Sequence, residues 1–336
     1  MAILKKEKIA AGLDIGSYSV KAVEVLRRGE EFTLSGLGFE RVSSSEKAAG
    51  APERSAIIEA IKKLLANSKI SSKNFGISIS GPSVIVRYIL LPSMTEEELE
   101  SSLSYEAEKH IPFKMHQMQL DYKILATGLE GNKMRVLLVG AKKELVENVL
   151  SILDELGISA AFIDVDGFCL INALEFAAPL DGKSRICTIL NVGHQFTNIS
   201  VANDYLPYFT RDVAVGARDI MAATRGNVDI PFEAIEALAK PVVERLIGEL
   251  RASFDYCESQ YQTEKGIDKI FLSGGGAKFA GFDKYLENSL GVSVALWNPL
   301  ANLAIPAELK EYAQGISQHM AVAAGLAIRG LSLHYI

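Results

Sequence analysis

The chain has 336 residues, 49% of them hydrophobic and 23% charged, the composition of an ordinary globular protein with core enough for about two domains. A formal charge of −6 and the lack of a basic, aromatic-rich patch speak against nucleic-acid binding. Three widely spaced cysteines, Cys169, Cys187 and Cys257, read as buried, reduced thiols, and Lys or Glu interrupts every apolar run before the ~18 residues a membrane span needs, so a cytoplasmic protein is expected.

Residues 9–42 predict three strands. The first runs from Ile9 through Leu13 to Asp14, and alternation resumes at Val20, Ala22, Val23 and Val25. Between them lies the turn Gly16-Ser17-Tyr18-Ser19, with Lys21 just beyond it. Such a turn suits phosphate: small residues let the backbone approach, amides point at oxygen, and Lys21 adds a point charge. Asp14, ending a buried strand, suits a hydrated Mg2+. A small-residue linker then leads to a helix over 53–67 with Ile57, Ile58, Ile61, Leu64 and Leu65 on one face, a short strand Phe75 to Ser80, and the turn Gly81-Pro82.

Residues 84–156 read as a βαββα insertion. A strand over 84–91 stops at Pro92, and Thr95-Glu96-Glu97-Glu98 is a capping box for a helix that Pro112 terminates. Strands over 119–127 and 134–140 flank a Gly-rich turn, and a helix over 142–156 follows. Asp164-Val165-Asp166-Gly167 opens a further helix over 168–176.

The opening pattern then returns. Asn191-Val192-Gly193-His194-Gln195-Phe196-Thr197-Asn198-Ile199 repeats the order of polar residue, aliphatic, glycine, polar turn and new strand, 177 positions later (191 minus 14), and Leu206 to Val213 supplies a third strand. A long helical region follows to Gln262, with a kink expected at Pro241. Lys269 to Ser273 is a strand broken by Gly274-Gly275-Gly276, where backbone can lie against a flat ligand, and Lys278 to Leu290 is helical. A strand over Val292 to Trp297 and one helix over Ala313 to Arg329 close the chain, with Gly315 and Gly325 permitting close contact between lobes. No Walker A loop, HExxH or GxSxG is present.

These three stretches resemble the phosphate-1, phosphate-2 and adenosine motifs of the actin, Hsp70 and sugar-kinase superfamily, and the whole chain is similar to its bacterial PilM and FtsA families. His110-Ile111-Pro112-Phe113 with Leu120-Asp121-Tyr122, and Arg251 to Tyr256, resemble PilM in particular. The resemblance implies an α/β actin-like ATPase fold: two duplicated RNase H-like lobes around a nucleotide cleft. The first lobe would hold residues 1–83, 161–183 and 313–336, the insertion 84–160, and the second lobe 184–312 with a shortened helical subdomain over 222–266.

It further implies ATP and Mg2+ as cofactors, with Asp14 ordering the metal and Gly16, Ser17, Tyr18, Ser19 and Lys21 on the phosphates. Gly193, His194 and Thr197 would form phosphate-2, where Asn191 replaces the family's aspartate, so binding is favoured over hydrolysis. Asp166 stands where the family orients an attacking water, or is simply a helix cap. Glu236 and Lys240 are the candidates for reaching the nucleoside, or else a solvated face, with Gly274, Gly275, Gly276 and Lys278 on the other side. The partner implied is the N-terminal cytoplasmic tail of a PilN-like membrane protein, in a groove near residues 84–92 and 105–113, holding the chain at the inner membrane through that partner. Alternatives are an FtsA-like division filament, a GspL-like type II secretion component and a sugar-kinase-type phosphotransferase.

Overall fold

The computed structural model describes residues 7–43, 52–178, 186–224, 232–261 and 266–331, with side chains of the long second-lobe helix described over 237–259. The chain begins with an antiparallel meander, β1 (Glu7–Ile15), β2 (Ser19–Arg28) and β3 (Glu31–Arg41). Helix α1 (Arg54–Asn67) crosses to β4 (Asn74–Ile79), which pairs parallel with β1. The Ile58, Ile61 and Leu64 stripe of α1 is buried with Leu13, Val20, Phe75 and Ile77, the 3.6-residue period meeting the period of two on one apolar layer.

From β4 the chain leaves the lobe through Gly81, whose φ of +90° favours glycine. The insertion is β5 (Val84–Pro92), α2 (Glu96–Glu108), β6 (Met118–Leu129) and β7 (Lys133–Lys142), a three-stranded sheet in the order β5-β7-β6. The capping box is present: Glu98 N–H donates to Thr95 Oγ1 at 3.2 Å, and Thr95 N–H to the Glu98 carboxylate at 2.7 Å. The following helix, α3 (Lys143–Glu155), turns its stripe away from this sheet. Its Val149, Ile152 and Leu153 pack into the first-lobe core beside Ile61 and Leu64, and Arg54 of α1 clamps its last turn through Ser151 and Glu155.

A strand absent from the sequence reading, β8 (Ser159–Val165), then joins β4 and completes a five-stranded sheet, β3-β2-β1-β4-β8. Its alanines and single aromatic give little alternation to read. Helix α4 (Asp166–Ala177) leads to the second lobe. There β9 (Ile186–Val192), β10 (Thr197–Asn203) and β11 (Leu206–Val213) repeat the meander, followed by α5 (Ala217–Ala223) and α6 (Phe232–Tyr261). Pro241 lies within α6, which continues through it. Strands β12 (Lys269–Ser273) and β13 (Ser293–Leu296), with α7 (Phe282–Leu290) between them, complete the order β11-β10-β9-β12-β13. Position by position this is the first-lobe order again.

Two expected helices are shorter than their apolar patterns. From the second of the three glycines a 3-10 turn spans Gly275–Lys278, and α7 starts only at Phe282. The last helix is two, α8 (Lys310–Ile316) and α9 (Ala321–Leu331), divided by a 3-10 turn over Ser317–His319. Helix α9 crosses α4 with Gly325 against the Cys169 carbonyl, where a Cβ would clash, whereas the space beside Gly315 is open. The three cysteines are buried and free. No helix among the described residues is long and apolar enough to cross a membrane.

Candidate functional site

The duplicated meanders bring their first hairpins face to face. In the first lobe Asp14 pairs with Lys21 across β1 and β2, and Gly16 N–H donates to Ser19 O at 3.1 Å. In the second, Asn191 pairs with Asn198 across β9 and β10, and Gly193 N–H donates to Phe196 O at 3.0 Å. Each position is offset by the same 177 residues (191 − 14, 198 − 21, 193 − 16, 196 − 19). The hairpins are therefore one structure built twice, and they differ in charge: an ion pair in one, two neutral amides in the other.

Between them lies a cleft of about 670 Å³ lined by Asp14, Gly16, Ser17, Tyr18, Ser19, Lys21, Asp166, Asn191, Gly193, His194, Gly274, Gly275 and Lys278. The tips touch across it, the Tyr18 and His194 rings lying 4.9 Å apart. Lys21 Nζ meets the Asp14 carboxylate at 2.9 Å. Asn191 Oδ1 accepts from Ser273 Oγ at 3.2 Å, which ties the β9 end to the glycine turn. At that turn Gly274 has φ +86°, and its N–H donates to Gln318 O at 2.9 Å, while Lys278 Nζ reaches Gly315 O at 2.9 Å. The break between α8 and α9 thus seats His319 beneath Gly275, where a Cβ would come within 3.2 Å of its ring.

Three of the site residues singled out in the sequence lie elsewhere, and a fourth is not described. Thr197 is fully buried and its hydroxyl donates to Val215 O at 2.7 Å, a bond that closes the second hairpin from behind. Gly276 packs under Val192, with no room for a Cβ. Lys240 is exposed on α6 and is not part of the lining, and the Glu236 side chain lies outside the described residues. Conversely, the cleft recruits Phe39, Arg41, Ser80, Asp212 and His319, none of which the sequence signalled as site residues, and Asn198, which stands in the repeated motif without an assigned role.

Cations and carboxylates both line the cleft and meet at the Lys21–Asp14 ion pair. Lys21, Arg41 and Lys278 stand around His319, whose pKa is pushed down to about 4, first by burial and then by those three cations. Lys278 is itself lowered, by burial and then by Arg41. Three carboxylates, Asp14, Asp166 and Asp212, line the cleft as well. Asp166 is pushed up to about 7 by burial, then by Asp14 and Asp212, against hydrogen bonds from the Ser78 and Ser80 hydroxyls. Asp212 is raised by burial, although Gly81 N–H at 2.5 Å and Asn198 Nδ2 at 2.9 Å both donate to it. Among the described residues no three His, Cys, Asp or Glu side chains converge closely enough to hold a metal ion by themselves.

A second cavity, of about 500 Å³, opens behind the cleft. Its walls are β5 over Val84–Tyr88 with Gly81 and Pro82 from the first lobe, and Phe209–Asp212 of β11 with Ala252, Ser253 and Tyr256 of α6 from the second. Strands β5 and β11 are each the edge of their own sheet.

Two lobes of identical strand order, closing on one cleft through matched hairpins, define an actin-like ATPase fold, here carrying an insertion between β4 and β8. The family profile described as type IV pilus assembly protein PilM matches residues 12–331, and the chain belongs to that family. Among solved structures it is similar to a "PilM-PilN type IV pilus biogenesis complex" at 27% identity and a TM-score of 0.81, over 96% of this chain and 98% of that one. The ethanolamine utilization protein EutJ from Carboxydothermus hydrogenoformans shares the fold alone, at 15% identity and a TM-score of 0.52, over 96% of this chain and 89% of that one.

Proposed function

We propose that the chain is an ATP-binding scaffold of type IV pilus assembly that docks the N-terminal tail of a PilN-like membrane protein. The observation that carries the nucleotide half is the paired charge deficit of the cleft. Three cations crowd a histidine that burial already disfavours as a cation, and two carboxylates, Asp14 and Asp212, crowd Asp166, which burial and their charge leave holding its proton near neutrality. A polyphosphate relieves the first strain and a hard divalent cation the second. The hairpins also suit phosphate sterically: a Cβ at Gly16 would lie 2.8 Å from Lys21 Nζ, and one at Gly193 2.7 Å from Phe196 O. Lys21, Ser17, Ser19 and the Gly16 and Gly193 backbones would hold the phosphates, and Asp14 the hydrated Mg2+. The Gly274–Gly275 turn would lie along the nucleoside.

Asn191 supplies no negative charge, so hydrolysis is at most slow. A calorimetric titration with ATP and Mg2+ tests the reading. Micromolar binding is expected, weakened about tenfold, roughly 1.4 kcal/mol, by Lys21→Ala. No heat from nucleotide-stripped protein overturns it.

For the partner, membership of the PilM family and the likeness to a PilM–PilN complex support a PilN-type tail. The second cavity suits an extended segment, because two sheet edges offer backbone groups and Arg87, Phe209 and Tyr256 offer charge and aromatic surface. Of the stretches expected to border a groove, 84–88 line this cavity and 105–113 do not. Tyr256→Ala and Arg87→Glu, both at exposed positions, are expected to weaken a tail peptide several-fold and leave ATP affinity unchanged. Attachment to the membrane would then come through the partner.

A further inference from the structure

Two residues, Asn198 and Asp212, line both the cleft and the second cavity. They face each other across β10 and β11, and their side chains form the partition between the two spaces. The Asp212 carboxylate accepts from Gly81 N–H at 2.5 Å and from Asn198 Nδ2 at 2.9 Å. Behind them Asn198 Oδ1 accepts from Ser200 Oγ at 2.6 Å, and Ser200 meets Thr210 at 2.8 Å, so the network is anchored in the second-lobe sheet. Gly81 belongs to the other lobe. It is the hinge residue where β4 hands the chain to the insertion, and its positive φ sets the direction in which β5 departs. Asp212 thus ties a fixed sheet of one lobe to the turn that aims the cavity wall of the other.

We infer that Asp212 is the positioning residue through which the two cavities sense each other, its bond to Gly81 being made or broken as the lobes close or open. This rests on the reading that the cleft takes a nucleotide and the second cavity a partner's tail. A ligand touching both hairpins fixes the angle between the lobes. That angle sets the Gly81 to Asp212 distance, and with it the spacing of β5 from β11, which is the width of the second cavity. Each ligand therefore biases one shared two-state contact, and the coupling must be reciprocal. The negative charge is part of the device: a carboxylate accepts from both donors at once, whereas an amide in its place meets the Asn198 amide with one donor facing another. Asp212 also lines the cleft with Asp166 and is near enough for its charge to act on it, so a cation bound among the carboxylates changes the field on the same oxygen atoms that hold Gly81.

The full chain, stripped of nucleotide, is titrated with a synthetic peptide of a PilN-type N-terminal tail, with and without ATP and Mg2+, and in the reverse order. A change of about fivefold or more in peptide affinity on adding nucleotide is expected, with the same factor for nucleotide on adding peptide. In Asp212→Asn, the coupling factor falls to near one whatever the change in either affinity taken alone. Thermal melting establishes that the variant folds. Asn198→Ser, which keeps the carboxylate but removes its clamp, provides a second variant with the same expectation. Coupling that survives in both folded variants overturns the inference, as does binding of both ligands to the parent without coupling. Failure of either ligand to bind the parent at all instead overturns the reading on which the inference rests.

Discussion

At Asp166 the cleft works against an ordinary carboxylate. Burial and the Asp14 and Asp212 charges raise its pKa to about 7, and the Ser78 and Ser80 hydroxyls offset only part of that. The folded protein then holds a proton that the unfolded chain has lost throughout the interval between the normal carboxylate range and about 7. Over that interval stability falls as pH rises, the opposite of a salt-bridged aspartate, and the penalty is fully present above it. Asp166→Asn is expected to remove this slope and to stabilise the protein at pH 8 by about 1–2 kcal/mol, less than the full shift because the cleft is open to water. Urea midpoints of both proteins at pH 5 and pH 8 check it. Equal differences at the two pH values would show that Asp166 is ionised throughout. His319 titrates in the opposite sense: it is neutral at pH 7, and an anion bound among Lys21, Arg41 and Lys278 is expected to raise its pKa from about 4, which proton NMR of its ring reads directly.

At the scale of elements, the two connecting helices show how little space separates the lobes. A Cβ at Gly325 of α9 would run into the Cys169 carbonyl of α4, a backbone atom that no rotamer can move aside. Gly325→Ala gains helix propensity of about 1 kcal/mol and incurs overpacking of typically 1–3 kcal/mol, with the upper end applying where backbone meets backbone. A net loss of about 2 kcal/mol is expected in urea unfolding. Gly315→Ala on α8, which faces open space, is neutral or stabilising by up to about 1 kcal/mol. The contrast marks what a sequence reveals. The hairpins were legible because their chemistry is local, with polar residue, glycine and, in the first, lysine all within one strand-turn-strand stretch. The break between α8 and α9 was not, because the apolar pattern runs through it and it is held by Gly274 N–H and Lys278, some forty residues upstream. Asp212 was invisible for a similar reason: an acid in an apolar strand acquires its partners only when β11 lies beside β10 and Gly81 arrives from the other lobe. Thr197 misled in the opposite way, matching a motif while spending its hydroxyl on Val215.

The whole molecule is tied together unevenly. Helices α4 and α9 run between the lobes, and the apolar cluster around them takes in Ile189 of β9, Phe271 of β12 and Trp297, while α9 also packs with Val23, Val25 and Leu34 of the first sheet. The insertion has its own core, Leu99, Met134, Val136 and Leu138 among others, and meets α4 and β8 through the small cluster of Val86, Leu137, Val165 and Phe168. Its outer edge, β6, is half-buried or exposed at every residue after Met118 and pairs on one side only. Local opening follows such differences in burial and pairing. In hydrogen exchange of the free protein, β6 and α2 are therefore expected to exchange well before β1 and β9, with β7 between them. ATP with Mg2+ should slow the amides of residues 16–19 and 193–196 and leave β6 unchanged, because β6 borders neither cavity. A tail peptide should slow β5. If β6 and β1 exchange at one common rate, the insertion opens only with the lobes, and a partner gripping it would hold the lobes directly rather than through the hinge at Gly81.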